Sequence, residues 1–153
     1  MSVESAFAPE AMSAAADGIT TVNVPLAELL ETVARVRSQL GYSRFVDLTA
    51  VDRLQRIDRF ELVYLFYSMQ QHAWLRLKTS TDGEAPSITA SVPGANWYER
   101  EVFDLFGIDF KGHPGLTRIM LPDNWQGHPL RRTEPLGSEP VDFTVTRQVY
   151  GDA

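Results

Sequence analysis

The chain has 153 residues, 44% of them apolar, a formal charge of −6 at pH 7 and no cysteine. This length suits one domain with a hydrophobic core. The lack of cysteine excludes disulfides, thiolate zinc sites, cysteine-ligated iron–sulfur clusters and a cysteine nucleophile, and the acidic balance argues against nucleic-acid binding, which depends on Lys and Arg.

The first 18 residues have the composition of a mobile tail, with six Ala, three acidic residues and no Lys or Arg. They lack the basic start of a secretory signal and the arginines of a transit peptide. The most apolar window, residues 60–69, is too short to span a membrane. We therefore expect a cytoplasmic protein, soluble or peripheral, with a tail over residues 1–18, one domain over 19–136 and an extended C-terminal tail over 137–153.

The first predicted elements are a strand over residues 19–24 and a helix over residues 26–40. The strand is rich in β-formers. The helix has apolar residues at helical spacing, and Gly41 provides its stop. These apolar residues are Leu26, Leu29, Leu30, Val33, Val36 and Leu40.

Three further strands are predicted over residues 45–51, 60–69 and 73–79. The second is apolar on both faces, which indicates a central strand covered on both sides, by helices or by a neighbouring subunit. In the third, Leu75 and Leu77 alternate with polar or exposed neighbours and face the core.

After a predicted loop over residues 80–86, residues 87–92 are predicted to form a last short strand. Hairpin-spaced strands with two clear helices indicate an α+β fold. We expect two layers, with helices on a largely antiparallel or mixed sheet, followed by a loop-rich C-terminal extension.

The second helix opens a run over residues 94–136 that is dense in Trp, Arg, His, Gly and Pro. Asn96 and Glu99 have the spacing of a capping box, and the helix ends at Gly107. Arg100 and Asp104, four residues apart, can pair. Glu99 and Glu101 point about 200° apart on a helix, so they do not form a catalytic carboxylate pair.

The tripeptide Gly-His-Pro occurs at residues 112–114 and again at 127–129. Each proline holds the preceding histidine in extended backbone. Two interpretations remain open: each imidazole bonds a carbonyl or a carboxylate and fixes its loop, or His113 and His128 bind a metal with Asp123.

Arginines and tryptophans accompany these turns, a composition typical of protein interfaces. They are Arg118, Arg131, Arg132, Trp97 and Trp125. The run has no phosphate-binding glycine motif and no nucleophile elbow. It therefore favours an adaptor surface over a small-molecule pocket.

Residues 99–123, EREVFDLFGIDFKGHPGLTRIMLPD, resemble the signature of the 30 kDa subunit family of respiratory complex I, which in bacteria is the C-subunit family of NADH-quinone oxidoreductase. Residues 127–137, GHPLRRTEPLG, resemble the family's second block, and the strands FVDLTAVD and RFELVYLFYSM also match. One departure lies in the second block, where Thr133 and Glu134 follow Arg132 instead of the family's Asp and aromatic residue.

The resemblance implies a non-catalytic subunit of the peripheral arm, on the cytoplasmic side of the cell membrane. It implies that the large 49 kDa-type subunit of the quinone site is the chief partner, and that FMN and iron–sulfur clusters reside in partner subunits while this chain holds none. The residues implied to order or contact the interface are Glu99, Arg100, Glu101, Gly107, Gly112, His113, Pro114, Arg118, Gly127, His128, Pro129 and Arg131.

Two alternatives remain. One is the equivalent subunit of a related membrane-bound hydrogenase or photosynthetic complex I-like assembly, which the cysteine signatures of neighbouring genes would distinguish. The other is a small metal-dependent enzyme using His113, His128 and Asp123, which elemental analysis would detect.

Overall fold

The computed structural model describes residues 2–54 and 56–134. Among these residues no helix is long and apolar enough to cross a membrane. The elements follow in the order α1 (Val3–Ala6), a 3₁₀ turn (Pro9–Ala11), β1 (Met12–Ala14), β2 (Thr20–Asn23), a 3₁₀ turn (Leu26–Glu28), α2 (Leu29–Ser38), β3 (Arg44–Asp52), β4 (Phe60–Ser68), β5 (Ala73–Thr81), β6 (Glu84–Pro86), α3 (Ala95–Phe106) and β7 (Asp109–Lys111).

Within the described ranges, five strands form one mixed sheet in the order β1-β2-β5-β4-β3. Strands β2 and β5 run parallel, and the other neighbours in this sheet are antiparallel. Strands β6 and β7 form a separate parallel pair. The predicted α+β class and largely antiparallel sheet are therefore confirmed.

The hydrophobic core lies between one face of the sheet and the helices α2 and α3. Burial of each large apolar side chain there contributes about 1.5–3 kcal/mol. Leu75 and Leu77 face this core, as their alternation predicted. The other buried members include Leu62, Tyr64 and Phe66 from β4, Leu29, Val33 and Val36 from α2, and Ala95, Val102 and Phe106 from α3.

The structure differs from the prediction of a mobile N-terminal tail. Residues 12–14 pair with β2 as an edge strand, and Asp17 forms an ion pair with Arg76 on β5. Phe7 lies under the guanidinium of Arg35 on α2. The alanine-rich composition did not indicate these contacts, because they are made with residues that are distant in the sequence. The predicted tail over residues 137–153 lies outside the described residues.

The predicted strand over residues 87–92 is wrong. Residues 84–86, expected to be loop, form β6 instead, and residues 87–94 form turns that lead into α3. The amide of Ile88 donates to the Glu99 carboxylate rather than to a neighbouring strand. The amides of Ser91 and Val92 both donate to the Ile88 carbonyl. In residues 88–92, hydrogen bonds to nearby carbonyls and to a side chain thus take the place of hydrogen bonds between strands.

The hydroxyl of Tyr64 gives a test of the core. This side chain is fully buried, and its hydroxyl finds no hydrogen-bond partner among the described residues. Because an unpaired buried hydroxyl costs about 1–3 kcal/mol, Tyr64→Phe should raise the free energy of unfolding by about 1 kcal/mol. Urea denaturation would measure this, with Tyr67→Phe on the opposite face as control. A fall in stability would show that the Tyr64 hydroxyl is paired.

Candidate functional site

Helix α3 provides the frame of the site. It begins after Gly94, which caps it without a side-chain bond, and it ends at Gly107, whose φ of 71° is left-handed. The start at Ala95 differs from the capping box predicted for Asn96 and Glu99. Asn96 lies inside the helix, and Glu99 points into the core.

Glu99 is fully buried and ties α3 to the preceding turn. Its Oε1 accepts from the Ile88 amide at 2.7 Å, and its Oε2 accepts from the Ser87 hydroxyl at 2.6 Å. Burial raises the pKa of Glu99, and the two hydrogen bonds offset this only in part. A buried carboxyl with these partners holds the turn in place.

A second buried carboxylate, Asp104, organises the loop that follows β7. Its Oδ2 accepts three backbone amides, from Ile119 at 3.0 Å, Met120 at 2.8 Å and Leu121 at 3.0 Å. Its Oδ1 accepts from the Arg118 guanidinium at 2.7 Å. We call this arrangement the Asp104 junction. It corrects the predicted pairing of Asp104 with Arg100.

The Asp104 carboxylate is charged despite its burial. Burial alone would raise its pKa, but the three amides and the Arg118 guanidinium together lower the pKa below its ordinary value. Hydrogen bonds to an ionised acceptor are stronger than neutral ones, so a carboxylate bonded on both oxygens fixes the loop that donates to it. The chain over residues 117–121 therefore has a defined path without regular secondary structure.

Residues 112–134, which we call the loop segment, also cap the C-terminal end of α3. The last carbonyls of a helix lack intrahelical partners. His128 Nδ1 bonds the Asp104 carbonyl at 2.8 Å, the Leu130 amide bonds the Leu105 carbonyl at 3.1 Å, and Arg131 Nε bonds the Phe106 carbonyl at 2.6 Å. The Arg131 cation also suits the negative end of the helix dipole.

Gly107 permits this close approach. A Cβ added there would lie 2.5 Å from the His128 ring and would overlap the Arg131 guanidinium. The left-handed φ at the same residue also favours glycine. Any larger residue would therefore push the loop segment away from the helix.

Asp52, at the end of β3, bonds the last described part of the loop segment to the sheet. It accepts two bonds from Arg59, at 2.9 and 2.6 Å, and one from the Arg132 amide at 2.9 Å. The bonds from Arg59 are the main reason that the pKa of Asp52 falls to about 2, and the amides of Arg132 and Leu54 lower it further against the effect of burial. Two charged carboxylates thus hold the loop segment, Asp104 at residues 118–121 and Asp52 at residue 132.

The two Gly-His-Pro turns meet different parts of α3. His113 Nε2 bonds the Asn96 carbonyl at 3.2 Å, while its Nδ1 accepts from the Gly115 amide at 3.0 Å. His128 bonds the Asp104 carbonyl, two helical turns away. Each imidazole therefore meets a backbone carbonyl and fixes its loop, as the first interpretation predicted.

The metal interpretation finds no support from this geometry. Both nitrogens of His113 are engaged with backbone groups, and Asp123 is exposed. Among the described residues, no group of three His, Cys, Asp or Glu residues converges.

Arg100 also attaches the loop segment to α3. Its guanidinium donates to the carbonyls of Thr117 and Arg118, at 3.0 and 3.2 Å, and lies over the Trp97 ring. Of the predicted site residues, Glu101, Gly112, Pro114 and Gly127 are exposed. Glu101 forms no ion pair among the described residues.

The sequence interpretation missed Asp52 and the central role of Asp104. One signal was present for Asp104: it occupies a helix that is otherwise apolar between Val102 and Phe106, where an acidic residue requires partners. For Asp52 the sequence carried no signal, because its partner amide lies 80 residues away.

These features define a small α+β domain whose charged and histidine side chains attach a long loop to a helix. The sequence profile described as "Respiratory-chain NADH dehydrogenase, 30 Kd subunit" matches residues 22–140. The chain belongs to this family.

Individual relatives agree with the family match. The chain is 46% identical over 132 residues to the C/D-type subunit of NADH-quinone oxidoreductase from Methylococcus capsulatus, covering 78% of this chain and 22% of that protein. It is 46% identical over 112 residues to the C-type subunit of the same enzyme from a Roseiflexus species, covering 71% of this chain and 64% of that one. The chain thus spans less than two thirds of these relatives.

A solved structure is also similar. It is the trypsin-resistant fragment of Nqo5, with a TM-score of 0.63, 29% sequence identity, and coverage of 69% of this chain and 88% of that one.

Glu99 generates a prediction about pH. Its folded pKa is raised, so the stability it contributes is present below the unfolded value near 4.5 and is lost as the pH rises through the folded pKa. Glu99→Gln removes this titration. Between the two pKa values, the variant should gain stability relative to the wild type by up to about 1.4 kcal/mol per pH unit.

Urea denaturation from pH 4 to pH 8 would measure this difference. The control is Glu101→Gln, because Glu101 lies two residues away and is exposed. If the difference in the free energy of unfolding between Glu99→Gln and the wild type stayed constant across this pH range, the folded pKa of Glu99 would not be raised.

Gly107 and Gly112 form a matched pair for a second test. Both have positive φ, 71° and 84°, but a Cβ at Gly112 would meet nothing within 4 Å. Both alanine variants carry backbone strain of about 1 kcal/mol or more. Only Gly107→Ala should also displace His128 and Arg131, so that trypsin cuts after Arg131 and Arg132 at least tenfold faster. Equal cutting rates in both variants would contradict the packing role of Gly107.

Proposed function

We propose that this chain is a non-catalytic structural subunit of the peripheral, quinone-reducing arm of a proton-translocating NADH:quinone oxidoreductase. The observation that carries the proposal is the family match over residues 22–140, which includes the end of β2, every later described helix and strand, and the described loop segment. The relatives named above are subunits of NADH-quinone oxidoreductase.

The chemistry of the described residues supports a structural role. Asp104 and Asp52 are ion-paired and bonded to backbone amides, and Glu99 is enclosed in the core. General acid–base catalysis needs a titratable group within reach of a substrate. These three carboxyl groups instead face their own chain.

In the proposed complex, FMN and the iron–sulfur clusters belong to partner subunits. The 153 residues contain no cysteine, so this chain offers no thiolate to a cluster. We propose the large 49 kDa-type subunit of the quinone site as the chief partner. The chain would then lie at the cytoplasmic side of the cell membrane and attach to it through the complex.

Three of the predicted interface residues act within the chain rather than at its surface. Arg118, His128 and Arg131 bond within the chain and present the loop segment. We propose that the contact with the partner is made by neighbouring exposed side chains, chiefly Trp97 at 63%, Met120 at 62% and Leu130 at 50% exposure. Tryptophan and arginine are enriched among the residues that contribute most to binding at protein interfaces.

Removal of one arginine tests the proposal. Arg118→Ala leaves Asp104 with its three amide donors, so the core should remain folded while the path of the loop segment loosens. Arg131→Ala leaves the carbonyls of Phe106 and Gly107 without this guanidinium, to the same effect. Both variants should lower the amount of assembled membrane complex several-fold on native gels. Circular dichroism of the purified chain should keep its folded signal.

The control is Lys111→Ala, because the two ion pairs of Lys111 are exposed and such pairs contribute little. The complex purified through a tag on the wild-type chain should contain FMN and iron–sulfur clusters and reduce quinone with NADH. Full-sized complex with normal activity in both arginine variants would refute the interface role, and a purified complex containing nickel and lacking FMN would refute the assignment to NADH oxidation.

A further inference from the structure

Strand β5 continues past the end of β2, its parallel neighbour. Strand β2 ends at Asn23, which lies opposite Lys78 in the register, whereas β5 runs on to Thr81. Val24 makes one more bond, from its amide to the Lys78 carbonyl at 2.8 Å. The chain then leaves the sheet in the 3₁₀ turn over residues 26–28. The last part of β5 therefore lies at an open edge.

Ser80 has unpaired backbone groups at this edge. Alternate residues of a strand direct their N–H and C=O groups to the same side. Ser80 therefore directs both groups to the side on which Lys78 accepts from Val24. Among residues 2–54 and 56–134, no backbone group bonds either of them. Unpaired N–H and C=O groups at a strand edge can pair with a strand of another chain.

A surface cavity of about 570 Å³ lies along the same edge. It is lined by residues 23–26, by residues 78–82, and by Asp58 and Glu61. Its volume is within the range of roughly 300–1,000 Å³ that is typical of ligand pockets. Thr79 also lines it, and the buried Oγ1 of Thr79 finds no hydrogen-bond partner among the described residues. The cavity thus combines room for an occupant with polar groups that the described chain does not pair.

The charges of the cavity favour a cationic occupant. The Glu61 carboxylate is neutralised by Arg53 at 2.8 Å and by Lys78 at 3.0 Å. Asp58 and Asp82 are exposed, and neither forms an ion pair within the described ranges. Two unpaired carboxylates attract a Lys or Arg side chain and repel phosphate groups. They therefore argue against nucleic acid and against an anionic membrane surface.

An extended peptide suits this combination better than a metal ion. No group of three His, Cys, Asp or Glu residues converges in the part of the chain that the structure describes. A peptide strand laid beside Ser80 would donate to its C=O and accept from its N–H, as in other cases of strand addition to a sheet edge. Alternate side chains of that strand would face the cavity, where a basic one would meet the unpaired carboxylates.

We propose that an extended segment of a partner protein, carrying a Lys or Arg side chain, pairs with the edge of β5 at Ser80. The segment continues the sheet where β2 leaves it, and its basic side chain lies near Asp58 and Asp82. This edge is not part of the loop segment, so the inference goes beyond the contact proposed above. It holds for any assembly in which this chain is a subunit.

Two substitutions at Ser80 test the backbone contact. Ser80→Pro removes the N–H that faces the open edge, a position where a strand tolerates proline, whereas Ser80→Ala keeps this N–H. A benzophenone amino acid at Asn23, an exposed residue of the cavity lining, reports the contact by photo-crosslinking in cells that assemble the whole complex. The expected result is an adduct with another protein of the complex that falls at least about tenfold in Ser80→Pro and is unchanged in Ser80→Ala.

The carboxylates provide a second test that does not alter the strand. Asp58→Lys and Asp82→Lys each place a cation at the cavity, and Glu31→Lys, an exposed substitution on α2, is the matched control. Each cavity variant should lower the same adduct at least about tenfold, because like charges repel the basic segment. Mass spectrometry of the crosslinked peptide should find a Lys or Arg in it. Melting curves of the purified variants would show that each remains folded, and the lysine variants decide the matter if Ser80→Pro unfolds.

Other results would overturn the proposal. An adduct with residues 135–153 of the same chain, with a second copy of the chain, with lipid or with a segment lacking Lys and Arg would do so. Equal adducts in Ser80→Pro and Ser80→Ala would also refute it. A chain that purifies with its respiratory complex but gives no adduct from position 23 refutes only this inference. A chain that crosslinks as expected but purifies with no FMN-containing complex supports the inference and refutes the proposed function.

Discussion

Hydrogen bonds at the C-terminal end of α3 join the loop segment to the rest of the described domain. A helix leaves its last carbonyls without partners, and burying them unpaired is costly. Here a histidine, a backbone amide and an arginine from the loop segment bond the carbonyls of residues 104–106. Asp104 takes part twice. Its backbone carbonyl bonds His128, and its side chain holds residues 118–121. Helix and loop therefore stabilise each other.

This mutual support explains how a segment without helices or strands can present a defined surface. Three buried carboxyl groups do most of the positioning, in two ways. Asp104 and Asp52 stay charged because amides and arginines surround them, and their pKa values fall. Among residues 2–54 and 56–134 none forms an ion pair with Glu99, and burial raises its pKa. The first two stabilise the fold above acidic pH, whereas Glu99 contributes most when protonated.

The elements predicted well from the sequence were those with long, regular periodicity. The strands around residues 45–51, 60–69 and 73–79 and the helix ending before Gly41 all appear close to their predicted positions. The wrong predictions concern places where a backbone group forms a hydrogen bond with a side chain that is distant in the sequence. Ile88 bonds Glu99 rather than a strand, and Asp104 bonds amides 15 to 17 residues away rather than Arg100. The N-terminal strand depends on β2 in the same way.

Local patterns in the sequence were enough to establish the α+β class, the alternation of the core strands, the position of the helix ending at Gly107 and the family resemblance that the profile match confirmed. These features rest on periodicity and on motifs read within a few residues. Only the tertiary structure reveals that Glu99 is a core residue rather than a cap, and that Asp104 and Asp52 hold the loop segment. Each depends on groups far apart in the chain, whose meeting no local pattern encodes.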